Sequence, residues 1–106
     1  TLIDYFKKTS NINLGTYTFT LGPTYETQAE IKEIQRLGGD AVGMSTFPEF
    51  IESKKINLNS ITISCLTNYG AGIKTEKVKH KDVIKNANLS KKHFAELIIN
   101  LIIKFA

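Results

Sequence analysis

The sequence has few of the residues that build disulfides, zinc sites or membrane spans. Its one cysteine, Cys65, has no second cysteine to pair with, and one cysteine with two histidines in no ligand spacing argues against a metal site. The longest mostly apolar stretch, 97–106, is shorter than the roughly 20 residues that cross a bilayer. No secretory leader is visible. These absences predict a cytoplasmic protein with no metal and no membrane association.

Arginine is also scarce. Lysine and arginine together number 14 against 10 acidic residues, which gives a net charge of +4, yet Arg36 is the one arginine. Proteins that recognise nucleic-acid bases favour arginine, and most of the lysines here are spread over 54–104. We therefore interpret the excess of positive charge as a solvated basic surface. A basic nucleic-acid-binding domain stays a candidate function, with less support from the sequence than the two candidates that are described below.

The remaining composition is typical of one globular unit. Apolar residues make up 42% and charged residues 23% of the 106 residues, with no repeat or low-complexity run. The chain begins at Thr1 and its one methionine is Met44. We therefore expect residues 1–106 to be a single domain with a modest core, or a fragment or processed product of a longer subunit.

Three short segments have the pattern of β-strands. Apolar residues alternate with threonine and other polar residues over 17–21 and 61–65, and a short, mostly apolar run covers 40–44. Cys65 falls in the third of these segments, where we expect an apolar environment to disfavour a thiolate.

Helical spacing surrounds and separates these strands. Apolar residues three and four apart predict a short helix that begins at Leu2 and a long terminal helix from about residue 80. The terminal helix is apolar almost all round over 97–105, so we expect part of that surface to meet protein outside this chain.

Two more helices begin at capping boxes. Thr27 lies three residues before Glu30, and Thr46 three residues before Glu49, so in each pair the two side chains are expected to satisfy free backbone N–H groups. The first of these helices is predicted to direct three apolar residues inward: Ile31, Ile34 and Leu37.

The order strand, helix, strand, helix, strand with short connections implies parallel pairing through helical crossovers. Parallel sheets are covered by helices. The sequence therefore predicts an α/β fold, a layered parallel-type sheet flanked by helices.

Each predicted strand is followed by polar or aromatic residues, at 22–26, 44–46 and 67–68. Ligands of open parallel sheets bind beyond the carboxyl ends of the strands. These segments offer an aromatic face at Tyr25, a carboxylate, an amide, a hydroxyl and the thioether of Met44, a set that suits a flat heterocycle attached to a sugar. Each residue also has an ordinary explanation as a turn residue or helix cap, and both explanations stay open.

Several ordered runs are similar to one known family. They are GPTYET at 22–27, AEI at 29–31, LG at 37–38, DAVGMST at 40–46, PE at 48–49, TN at 67–68 and AGI at 71–73, with His80 twelve residues beyond Asn68. From about Tyr17 to its end, the sequence resembles the C-terminal two-fifths or so of the trimeric purine nucleoside phosphorylases.

The resemblance implies a reaction and its participants. Phosphate, as co-substrate, attacks the anomeric carbon of a purine nucleoside and releases a free base and ribose 1-phosphate, with no cofactor. The expected partners are the nucleoside, phosphate, the N-terminal part of the same subunit and two further subunits of a homotrimer. Since the main phosphate-binding residues of the family lie in that N-terminal part, we expect this chain alone to hold most of the base pocket and to be inactive.

The resemblance also implies a role for individual residues. Glu26 would bind the N1 side of a 6-oxopurine and Asn68 its N7/O6 side, and these two would be the catalytic residues. The other substrate-binding positions would be Tyr25 and Val42 against the base, Met44 against the ribose, Ser45 at the phosphate, Thr67 beside the amide, and His80 at the 5′-hydroxyl.

Two alternatives remain beside this interpretation. One is a methylthioadenosine phosphorylase. These related enzymes usually carry serine in place of Glu26 and aspartate in place of Asn68, so both positions favour inosine and guanosine here. The other is a phosphorylase-like module that binds a purine without cleaving it.

Overall fold

A computed structural model of the chain describes residues 2–9, 12–77 and 79–106. In chain order the elements are α1 (Leu2–Thr9), β1 (Tyr17–Phe19), α2 (Gln28–Arg36), β2 (Ala41–Gly43), α3 (Phe47–Lys55) and α4 (His80–Phe105). Among the helices of these ranges, none combines the length and the apolar character that a bilayer crossing requires. The four predicted helices are confirmed, and the last begins at the predicted residue.

The two strands form a small parallel sheet. Tyr17 lies opposite Ala41 and Phe19 opposite Gly43, with α2 as the crossover between the strands. The N–H of Thr20 extends the pairing by donating to the carbonyl of Gly43 at 2.9 Å. The architecture is α/β, and the predicted parallel pairing of the first two strands is confirmed.

The predicted third strand is wrong. Residues 61–65 have no regular secondary structure, and Ile61 is 44% exposed. Alternation of apolar and polar residues suits a strand, but a strand also needs a partner, and within the described ranges the sheet ends at β1 and β2. Cys65 is exposed, so the expected apolar environment of its thiol is wrong as well.

The capping box at the start of α2 is confirmed. The backbone N–H of Thr27 donates to Glu30 Oε2 at 2.6 Å, and Thr27 Oγ1 accepts from the backbone N–H of Glu30 at 3.3 Å. The backbone N–H and the hydroxyl of Thr27 both stabilise the ionised carboxylate, which lowers the pKa of Glu30.

The other end of α2 differs from the prediction. Ile31 is buried and Ile34 half-buried, as predicted, but Leu37 is 70% exposed. The helix ends at Arg36, and Gly38 at φ 88° turns the chain, so Leu37 leaves the helical face that its spacing assigned to it.

The predicted capping box at the start of α3 is wrong. Thr46 makes no side-chain capping bond and has φ 80° and ψ −45°, whereas a side-chain cap requires an extended backbone. The N–H of Phe47 donates to the carbonyl of Ser45 at 2.9 Å, so these three residues form the rare γ-turn with positive φ at its centre. The turn points the threonine hydroxyl away from the first helical N–H groups and toward Ser45 Oγ, 3.3 Å away.

The core of the described residues is small. Phe6, Ile31 and Leu97 are its buried apolar side chains, at 3%, 5% and 9% exposure. Near the end of α4, Ile102 and Ile103 are 60% and 75% exposed, in line with the expectation that this helix has more apolar surface than this chain covers.

Aromatic contacts join α1 to α4 and α3 to the sheet. The ring of Tyr5 in α1 meets that of Phe105 edge-on, with centroids 5.5 Å apart. The rings of Phe19 in β1 and Phe47 in α3 are stacked at the same centroid distance. The second contact fixes the start of α3 against the sheet, close to the loop that follows β2.

Candidate ligand-binding site

A cleft of about 370 Å³ lies beyond the carboxyl end of β1, at the low end of the usual size for small-molecule sites. The segment 20–26 lines one side, with Tyr25 and Glu26, and residues of α2 such as Ile34 line the other. The remaining predicted site residues do not line this cleft; they are Val42, Met44, Ser45, Thr67, Asn68 and His80.

The carboxylate of Glu26 is held from the end of β1. Thr20 Oγ1 donates to Glu26 Oε1 at 2.6 Å, and both side chains are half-buried. A carboxylate has about four acceptor positions on two oxygens, so this bond fixes the group and leaves Oε2 to accept from a ligand N–H. The arrangement suits recognition of a donor on the edge of a heterocycle.

Tyr25 reaches across to the start of α4. Its hydroxyl lies 2.8 Å from Nδ1 of His80, 55 positions later in the chain, and the two ring centroids are 6.4 Å apart. Tyr25 as a residue remains 45% exposed. Two of the predicted site residues are therefore in direct contact, while the ring of Tyr25 keeps open surface on which a flat ligand can stack.

Met44 packs against the loop that follows β1. A Cβ atom on Gly22 would lie 2.6 Å from the sulfur of Met44, so a larger residue would require Met44 to shift, and Gly22 also has a positive φ of 68°. Val42, in the middle of β2, is half-buried. The loops after the two strands are thus fitted to each other at the same edge of the sheet.

The hydroxyl of Ser45 lies at the γ-turn that opens α3. The hydroxyl of Tyr17 donates to the carbonyl of Ser45 at 2.9 Å and fixes this turn to β1. A β-branched residue at positive φ, such as Thr46, stores of order 1–3 kcal/mol of strain, and such residues cluster at functional sites. The strained turn sets where the hydroxyl of Ser45 lies relative to the helix.

The amide of Asn68 is oriented by its own loop. Its Nδ2 donates to the carbonyl of Tyr69 at 3.0 Å, and its Oδ1 accepts from the hydroxyl of Thr67 at 2.8 Å. A carbonyl oxygen only accepts, so these contacts define which end of the amide is which. One of the two amide hydrogens is used, which leaves the second for an acceptor on a ligand.

The loop that carries Asn68 lies on α2. A Cβ atom on Gly70 would be 2.9 Å from Ile31 Cδ1, and one on Gly72 would be 2.9 Å from Gln28 Cγ. Because α2 begins two residues after Glu26, the segments that carry Glu26 and Asn68 are neighbours. Their side chains make no hydrogen bond to each other in the described part of the chain.

A comparison with known families shows the family to which this chain belongs. The model of the phosphorylase superfamily matches residues 2–103. The chain belongs to this superfamily. Purine nucleoside phosphorylase 1 of Geobacillus stearothermophilus is 42% identical over 84 residues, which are 79% of this chain and 31% of that protein.

Further relatives of the chain belong to the same group of proteins. Purine nucleoside phosphorylase 1 of Bacillus subtilis is 36% identical over 94 residues, covering 89% of this chain and 35% of that protein. The 6-oxopurine nucleoside phosphorylase of Pyrococcus furiosus is 38% identical over 85 residues, covering 80% and 32%. The resemblance to purine nucleoside phosphorylases is confirmed, and the chain spans about a third of the length of these relatives.

Two residues that hold predicted site residues in place were not themselves predicted. Thr20 holds Glu26, and Nδ2 of Asn86 donates to the carbonyl of Thr67 at 2.5 Å. Asn86 has a weak signal in the sequence, because asparagine is a poor residue for a helix interior unless its amide has a specific partner. Thr20 is indistinguishable by pattern from the other threonines of its segment.

Proposed function

We propose that the protein containing this chain cleaves 6-oxopurine nucleosides, inosine and guanosine, with phosphate to give a free base and ribose 1-phosphate. The observation that carries the proposal is the carboxylate of Glu26, held at the cleft by Thr20 with one oxygen open to a ligand. A 6-oxopurine presents an N1–H donor to such an acceptor, whereas a 6-aminopurine presents a bare N1 nitrogen. The carboxylate therefore favours the 6-oxo bases.

Asn68 serves the leaving base in this proposal. Negative charge builds on the purine as the glycosidic bond breaks, so a donor at N7 binds the transition state more strongly than the substrate. The spare amide hydrogen of Asn68 is suited to that position, since its other contacts, to Thr67 and Tyr69, need not break. Glu26 and Asn68 are thus the proposed catalytic residues.

The remaining contacts follow the resemblance. The ring of Tyr25 stacks on the base, and Val42 packs against it. Met44 lies against the ribose, and Thr67 orients the amide of Asn68. Ser45 binds phosphate, and His80 binds the 5′-hydroxyl. The contact between Tyr25 and His80 supports the last assignment, because it brings the histidine to the segment that binds the base.

The complete enzyme needs more than this chain. We propose that the N-terminal part of the subunit supplies the main phosphate-binding groups, that three subunits assemble, and that the enzyme is cytoplasmic and needs no cofactor besides phosphate as co-substrate. The exposed apolar surface of α4, including Ile102 and Ile103, supports further protein contacts. The isolated 106 residues should release no base from inosine.

The test is phosphorolysis by the full-length protein, measured as free base by chromatography with inosine, guanosine and adenosine, with and without phosphate. We expect phosphate-dependent release of hypoxanthine and guanine, and a loss of at least about a hundredfold in kcat/KM for Glu26→Gln. Glu52→Gln is the matched control, since Glu52 is an exposed acid of α3 paired with Lys55.

Other outcomes would replace the proposal. Binding of hypoxanthine without any phosphate-dependent cleavage would indicate a purine-binding module. Preferential cleavage of methylthioadenosine would move the protein to the related phosphorylases of 6-aminopurine nucleosides.

A further inference from the structure

The hydroxyl of Tyr25 has no part in the function proposed above. Stacking on a purine uses the face of the ring, and phenylalanine would supply that face equally well. Yet the hydroxyl lies 2.8 Å from Nδ1 of His80, a contact between a loop after β1 and the first residue of α4. The hydroxyl therefore acts on the histidine rather than on the base.

The contact determines which nitrogen of the imidazole carries the proton. A neutral histidine has one N–H donor and one bare acceptor nitrogen, and the partner of one nitrogen sets the state of the other. A phenol is a stronger donor than a neutral imidazole N–H, and the bare imidazole nitrogen is the stronger acceptor of the two groups. The favoured arrangement has Tyr25 donating to Nδ1, which leaves the proton of His80 on Nε2.

We propose that Tyr25 is a positioning residue for His80: its hydroxyl holds the imidazole in the Nε2–H tautomer and in an orientation from which Nε2 donates to the 5′-oxygen of the nucleoside. The inference rests on the proposed function for the presence of a 5′-hydroxyl beside His80. One side chain then orients both ends of the substrate, the base through its ring and the sugar through the histidine.

The contact also has a competing interpretation as a structural link. The N-cap residue of α4, Lys79, makes no side-chain capping bond, so the bridge from Tyr25 is an attachment for the start of this helix. A structural link would affect all substrates alike. A positioning role affects only substrates that have an oxygen at the 5′ position, and this difference makes the two separable.

The kinetic test uses Tyr25→Phe in the full-length protein, with inosine and 5′-deoxyinosine as substrates. Removing one oriented hydrogen bond should lower kcat/KM for inosine about tenfold more than it lowers kcat/KM for 5′-deoxyinosine. His80→Gln should show the same selectivity, and adding Tyr25→Phe to it should cost nothing further. Equal losses for the two substrates, or no loss for either, would overturn the proposal.

A spectroscopic test is independent of turnover. In the full-length protein with ¹⁵N-labelled histidine, the ring signals of His80 are assigned by their loss in His80→Gln. They should show a proton on Nε2 in the wild type and a mixture of tautomers in Tyr25→Phe. The exposed imidazole of His93, also in α4, is the internal reference and should not change. A proton on Nδ1 of His80 in the wild type contradicts the inference.

The two tests separate failure of the inference from failure of the proposed function. If the wild-type protein releases no base from inosine, the proposed function fails, and the proposal about Tyr25 fails with it as far as the 5′-oxygen is concerned. If the wild type is active but the two nucleosides respond alike to Tyr25→Phe, only the positioning role fails.

Discussion

The sulfur of Met44 occupies the space next to the α-carbon of Gly22, where a Cβ atom would come within 2.6 Å of it. The contact joins the loops that follow the two strands of the sheet. Both residues belong to segments that the family resemblance assigns to substrate binding. The shape of this edge of the sheet therefore depends on a glycine in the first loop as much as on the side chains of the second.

Replacing Gly22 by alanine should be more harmful than its backbone angle alone explains. Alanine at a positive φ costs about 1 kcal/mol of unfolding free energy, and the collision with Met44 adds to it. Gly38→Ala is the matched control, because Gly38 has φ 88° and no atom within 4 Å of an added Cβ. Denaturant unfolding should give a loss for Gly22→Ala about twice that for Gly38→Ala. Equal losses would mean that Met44 moves aside freely.

Thr46→Gly should stabilise the fold and impair function. Glycine adopts φ 80° without the strain that threonine stores in the γ-turn, so we expect unfolding free energy to rise by up to about 1 kcal/mol. The freed turn no longer fixes the hydroxyl of Ser45, so KM for phosphate should rise in the full-length protein. Asn57→Gly is the control, since Asn57 has φ 55° but lies at the far end of α3. A rise in stability with an unchanged KM for phosphate would show that the strain at Thr46 has no effect on phosphate binding.

Asn68→Asp should shift the preference among bases. A carboxylate or carboxylic acid at this position accepts from a 6-amino group, which the donating face of the amide does not do, so the ratio of kcat/KM for adenosine to that for inosine should rise by about tenfold or more. Asn88→Asp introduces the same charge at an exposed position of α4 and should leave the ratio unchanged. An unchanged ratio in Asn68→Asp would contradict the assignment of the amide to the base.

The capping box of α2 makes stability depend on pH in acid. Bonds from the backbone N–H and hydroxyl of Thr27 lower the pKa of Glu30 from its usual value of 4.5 in the folded chain. The contribution of the ionised Glu30 carboxylate to the free energy of unfolding is therefore present above about pH 4.5. It is lost as the pH falls through the lowered pKa. The difference in unfolding free energy between wild type and Glu30→Gln, measured from pH 7 to pH 3, should shrink toward acid.

The control for this prediction is Glu49→Gln. Glu49 occupies the corresponding position in the first turn of α3, where Thr46 makes no capping bond. The difference in unfolding free energy between wild type and Glu49→Gln should vary less with pH over the same range. If both differences vary equally, the effect belongs to the helix ends in general and not to the capping box.

Features that depend on neighbouring residues in the sequence were predictable. The capping pair of Thr27 and Glu30 and the start of α4 are both local, and the structure has them where the pattern indicates. Thr46 and Glu49 show the same local pattern, yet the γ-turn at Thr46 prevents the cap. A side-chain pattern does not specify backbone angles that the loop imposes.

Features that depend on distant residues were not predictable from pattern. Segment 61–65 alternates as a strand does but has no partner in the described chain, and pairing is a property of two segments. The contacts of Tyr25 with His80 and of Asn86 with Thr67 join positions far apart in sequence. The family resemblance identified most of these residues as a set, and only the fold shows which of them touch.

The close approach of Gly70 to Ile31 links the segment that carries Asn68 with the core. Ile31 is among the best buried side chains of the chain, and the backbone of the loop that follows Asn68 is part of what covers it. Displacing that loop would expose the isoleucine to water, so the hydrophobic effect holds the loop in its packed position without any ligand present. Packing of this loop is thereby built into folding, and a substitution that makes residue 31 more polar should loosen the segment that carries Asn68.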